Sequence, residues 1–105
     1  MARDDAHVLI YKILTYLYKQ LKDDEPIDPD KISADGLNIR EGYWCWIMRQ
    51  LINAKYTTGY SVVSNGPDRV RIDHLKRATI TYKGVEYLFS DTFMAKVREL
   101  YPEIK

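Results

Sequence analysis

Cys45, His7 and His74 are the side chains best suited to covalent or metal chemistry, and their spacing supports neither. One cysteine and two distant histidines make no zinc-ligand pattern. Cys45 falls mid-helix between Trp44 and Trp46 with no base nearby in sequence, so it reads as a small buried hydrophobe. The acidic run Asp23, Asp24, Glu25, Asp28 and Asp30 lacks the glycine and the closing glutamate of an EF-hand loop, and reads as a solvated loop. No glycine-rich phosphate loop occurs. The chain is therefore not expected to be an enzyme, and no metal, cofactor or small-molecule ligand is expected.

The cations tell more. The net charge of +1 conceals a strong asymmetry along the chain. Residues 1–39 carry five basic and eight acidic side chains, whereas residues 40–83 carry eight basic and three acidic. Residues 84–105 return to a slight acidic excess. A basic middle inside a neutral total is the distribution expected when one surface meets a polyanion. Chance clustering in surface loops is the plain alternative.

Apolar spacing shows which elements would present those cations. Ile10, Ile13, Leu14, Leu17 and Leu21 recur at helical intervals and predict a first helix from about Asp4 to Lys22. Tyr11, Tyr16 and Tyr18 flank its stripe as core edge. Pro26 breaks this helix. A short second helix is expected from Pro29, capped by Asp28, to about Gly36–Leu37, with Gly36 as its C-terminal cap. A third is expected from about Arg40 to Lys55, burying Trp44, Ile47, Met48 and Leu51. At about 100° per residue its opposite side presents Gly42, Trp46, Arg49, Gln50 and Asn53.

Beyond Ala54 the period changes to two. Tyr60 and Val62, then Val70 and Ile72, alternate with polar residues around Ser64-Asn65-Gly66-Pro67-Asp68, which predicts a β-hairpin. Val63 leaves its register open. Residues 74–78 fit either a longer strand or a connection. Thr81 is placed to cap a helix over Tyr82–Phe89 with Val85 and Leu88 inward. Ser90 or Asp91 then caps a last helix that ends near Tyr101, before Pro102.

This order predicts a single α+β domain over residues 1–105, predominantly helical. It is a winged helix-turn-helix with a β-hairpin wing and an added C-terminal helix. In such folds the third helix enters the major groove and the wing reaches the backbone, with phosphate neutralisation supplying most of the affinity. The candidate nucleic-acid contacts are Arg49, Gln50 and Asn53 on helix three, Arg69 and Arg71 in the wing, and Lys76 and Arg77 after it. Gln50 and Asn53 carry the amides that read adenine edges. Duplex DNA is the expected partner.

Two residues complicate this. Glu41 starts helix three, where it suits the macrodipole but repels phosphate. Trp46 points away from the core and is a candidate partner contact, unless a shifted helix phase buries it beside Trp44. The competing reading is a protein-interaction or assembly module. It rests on Trp46 and on Phe93, Val97 and Leu100 of the last helix, through which a homodimer could form.

With 105 residues, 46% of them hydrophobic and 30% charged, the chain has the totals of one folded domain. No secretory leader and no membrane span are expected, and a lone cysteine favours a reducing, cytoplasmic setting.

Leu37-Asn38-Ile39, then Trp44, Ile47, Leu51 and Tyr56 up to Gly59, and the run Ile80-Thr81-Tyr82-Lys83-Gly84-Val85-Glu86-Tyr87-Leu88 resemble the YjcQ-like family of small winged-helix proteins. The resemblance spans helix one to the last helix and is most specific in the Ile80–Leu88 run. It implies a winged-helix fold and a bacterial or prophage source, and hence a phage- or prophage-encoded transcriptional regulator as one setting for DNA binding. It brings no reaction, ligand or residue role with it. Where many winged helices place a glycine before the aromatic after helix three, this chain has Ala54-Lys55-Tyr56.

Overall fold

The computed structural model describes residues 6–64, 66 and 70–100, with the side chains of Thr92, Phe93, Arg98 and Leu100 outside that description. Helix α1 (Ala6–Lys22) buries Val8, Leu9, Tyr11, Ile13, Leu14 and Leu17. Each fully buried aliphatic side chain of this kind contributes about 2 kcal/mol by leaving water. Leu21, expected on the same stripe, is instead 55% exposed. It sits in the last turn and lines an open groove with Pro26, Ile27 and Ala78.

The second helix is split. Asp28 accepts from the Asp30 amide at 3.0 Å and caps a 3-10 turn over Pro29–Lys31. Ser33 then accepts from Gly36 N and caps α2 (Ala34–Leu37). Gly36 therefore lies inside α2 and does not end it. A Cβ there would collide with the carbonyl oxygen of Asp30, so glycine is required by close backbone approach. The left-handed cap is Asn38 at φ 57°, with Asn38 N donating to Asp35 O and Ile39 N to Ala34 O.

Helix α3 (Glu41–Asn53) buries Trp44, Cys45, Ile47, Met48 and Leu51. The indole of Trp44 donates to Ile32 O at 2.7 Å, which ties α3 to the turn before α2. Strands β2 (Ser61–Ser64) and β3 (Val70–Asp73) form the expected hairpin in antiparallel register, with Val62 opposite Ile72 and Val63 opposite Arg71. Asn65, Pro67, Asp68 and Arg69 of its turn lie outside the described residues.

Residues 74–78 prove to be a connection. His74 takes a left-handed φ of 63°, and a 3-10 turn over Leu75–Arg77 follows. The chain then forms β4 (Thr79–Ile80), antiparallel to β1 (Thr57–Thr58). Helix α4 (Tyr82–Ser90) starts at Thr81, whose hydroxyl accepts from Gly84 N at 3.0 Å. Helix α5 (Thr92–Leu100) follows, with Asp91 accepting from Met94 N.

The molecule is thus α+β and predominantly helical, with two small two-stranded sheets among the described residues. Helix α1 packs on α3, α4, α5 and β4. Met94 and Val97 of α5 are fully buried. Val97, which the sequence offered to a second copy, is therefore used in the chain's own core. No helix among the described residues is long and apolar enough to cross a membrane.

Candidate nucleic-acid interface

The outward side of α3 follows from its inward side. With Trp44, Ile47, Met48 and Leu51 in the core, helical geometry turns Trp46, Arg49, Gln50 and Asn53 to solvent, and all four are exposed. Trp46 is 50% exposed, so the helix phase predicted from spacing holds. Its ring stacks on that of Tyr43 at 6.4 Å between centroids and 19° between planes. The i, i+3 spacing carries that signal in sequence, since residues three apart share a helix face.

Two contacts hold the hairpin against α3. The Cys45 thiol lies 3.5 Å from Val70 O at the start of β3. Tyr60, just before β2, is buried, and its hydroxyl donates to Met48 O at 2.7 Å. With that proton committed, the 2.6 Å contact to Thr57 must have the threonine hydroxyl donating to the tyrosine oxygen. Burial pushes the Tyr60 phenol up to about 12, against the opposing pull of the Thr57 hydrogen bond. Burial, and secondarily the Glu41 charge, pushes the Cys45 thiol up. That thiol is a packed hydrophobe at a helix–strand contact.

The expected cations divide. Arg71 is on β3, which packs against α3, but its guanidinium is committed to Asp73 at 3.0 and 3.3 Å. Residues two apart on a strand face the same side, so this pairing too had a sequence signal. Lys76 and Arg77 occupy the 3-10 turn beyond the hairpin. Lys76 lines a groove of about 300 Å³ with Leu17, Leu21, Asp24 and Glu25, at the C-terminal end of α1. It stands beside the acidic loop, while Arg49, Gln50 and Asn53 share one surface on α3. Arg69 lies outside the described residues.

No group of three or more potential metal ligands occurs among the described residues. The acidic loop after α1 is tied down by its backbone instead. Tyr16 Oη accepts from Asp28 N at 2.8 Å, and Gln20 donates to Pro26 O at 2.8 Å.

A family model described as YjcQ protein matches residues 11–105, nearly the whole chain. No curated protein matches, and no solved structure matches.

Proposed function

The chain belongs to the YjcQ family, and we propose that it is a winged-helix protein that binds duplex DNA, with α3 in the major groove and the β2–β3 hairpin as the wing. The observation that carries this reading is the outward face of α3. Arg49, Gln50 and Asn53 stand exposed on one side of a helix whose other side is locked into the core. A guanidinium and two amides on a rigid helix are the groups that bind phosphate and read base edges. The hairpin lies beside that helix, held by Cys45 and Tyr60. A transcriptional regulator, encoded by a bacterium or its prophage, is the setting this reading suits.

Fluorescence anisotropy with mixed-sequence duplexes at low salt tests it. Binding is expected to weaken steeply as salt rises, because neutralising phosphates releases counterions. Arg49→Ala should weaken binding and flatten the salt slope by about one. Absence of any binding at low salt would sink the proposal.

A second reading, a protein-interaction module, draws on the exposed Trp46 and the half-buried Tyr43 on which it stacks. Tyr43 also lines a depression of about 510 Å³ with Asn38, Ile39 and Arg40. An exposed aromatic beside a concavity suits a protein partner as well as a nucleic acid. If Trp46→Ala abolishes self-association seen by light scattering while DNA binding is absent, this second reading replaces the first.

A further inference from the structure

A groove of about 550 Å³ runs between α1 and α4, on elements that the α3 surface does not include. Tyr11 and Leu88, both buried, form part of its lining, and Tyr18 and Phe89 stand beside them. The Tyr18 and Phe89 rings meet edge to face at 5.5 Å and 71°. Phe89 is 49% exposed, a large aromatic surface left facing water. Lys19 and Lys22 line the same groove, with Asp23 the one carboxylate among its described lining residues. The Lys22 ammonium lies 4.8 Å from the centre of the Tyr18 ring, so a cation is held against the aromatic wall.

We propose that this groove binds a small flat aromatic anion of the aryl carboxylate class. Its volume falls in the range of small-molecule sites, about 300–1,000 Å³, and an aromatic wall of Tyr11, Tyr18 and Phe89 edged by charged groups matches a lining that holds a ring and orients a charge. Aromatic rings stack or meet edge to face with a planar ligand, which selects an arene over a branched aliphatic chain. Two lysines against one aspartate favour a negative charge at the mouth. Thr15 also lines the groove. The groove was not legible as a ligand site in the sequence, because Tyr11 and Leu88 lie in helices at opposite ends of the chain.

The test is a titration of the full chain with 2-naphthoate, followed by amide chemical shifts, with neutral 2-naphthalenemethanol as the comparison. Saturable shifts are expected over the C-terminal half of α1 and along α4, with the neutral compound binding more weakly. Lys19→Gln with Lys22→Gln should weaken 2-naphthoate binding about fivefold, as loss of two exposed charge contacts implies, with the helical circular-dichroism signal retained and a small fall in melting temperature from the lost helix-terminus and cation–π contacts. Phe89→Ala, a half-exposed position, should weaken both compounds. The proposal is overturned by absence of saturable shifts at millimolar probe, or by equal binding of the neutral compound. It is also overturned by groove shifts that grow with protein concentration alone, which would assign the groove to a second copy of the chain.

Discussion

The Tyr60 hydroxyl donates to the main-chain carbonyl of Met48 at 2.7 Å, joining the entry of the hairpin to the middle of α3. With the Cys45–Val70 contact, this buried phenol helps set the hairpin beside the helix that carries Arg49, Gln50 and Asn53. Tyr60→Phe removes the donor to Met48 and leaves Thr57 without its acceptor. A loss of about 1–3 kcal/mol in urea unfolding is expected, the usual cost of orphaning buried polar groups.

The same phenol makes stability fall in alkali. Its folded value, about 12, lies above the ordinary value of 10, so the folded state holds this proton more tightly than the unfolded chain. The contribution is complete below pH 10 and is lost as pH rises from there through 12. Unfolding curves between those limits should show a slope that is reduced in Tyr60→Phe. Equal slopes in both proteins would refute the assignment.

Gly84 and Gly42 make a matched pair of helical glycines with opposite expectations. A Cβ on Gly84 would collide with the Tyr56 carbonyl oxygen and lie 2.7 Å from Ile80 Cγ1, whereas one on Gly42 meets nothing within 4 Å. Gly84→Ala should therefore cost about 3 kcal/mol through forced displacement of backbone. Gly42→Ala should stabilise by roughly 0.5–1 kcal/mol through helix propensity. Thermal melts of the two variants should move in opposite directions.

Lys55 ends α3 in the left-handed region at φ 65°, with its own amide donating to Ile52 O and the next, Tyr56 N, to Leu51 O. This is the position where glycine is the unstrained residue. Lys55→Gly should raise stability by about 0.5–1 kcal/mol, and Lys55→Val should lower it. Chemical denaturation ranks the three.

Asp73 offsets the charge of Arg71 in the hairpin. If the hairpin approaches phosphate, Asp73→Asn should tighten DNA binding by about two- to fivefold, and Arg71→Ala should weaken it less than Arg49→Ala does. A tightening by Asp73→Asn that persists at high salt would contradict an electrostatic origin.

Local order was legible in the chain because it is written in local periodicity. The buried face of α3, the outward Trp46 and Arg49, the Asp28 and Thr81 caps and the presence of the hairpin follow from spacing and capping chemistry over a few residues, whereas the hairpin register, left open by Val63, came from the structure. The splitting of the second helix was hidden, because Gly36 serves close approach to Asp30 and Asn38 supplies the turn. The Ile80–Leu88 run was recognisable as a pattern, but its reason is tertiary. Thr81 donates to Lys55 O at 2.5 Å, Gly84 lies against Tyr56, and Tyr87 stacks on Tyr56 at 4.4 Å.

By itself the sequence determined which side of α3 turns inward and where its Arg49 stands, since those depend on a fixed rotation per residue. Only the tertiary structure decided which cations share a surface. It set Lys76 beside the acidic loop and opened the groove between α1 and α4. Most of these arrangements join segments tens of residues apart, and such contacts are chosen by packing of the whole core, which no local period encodes.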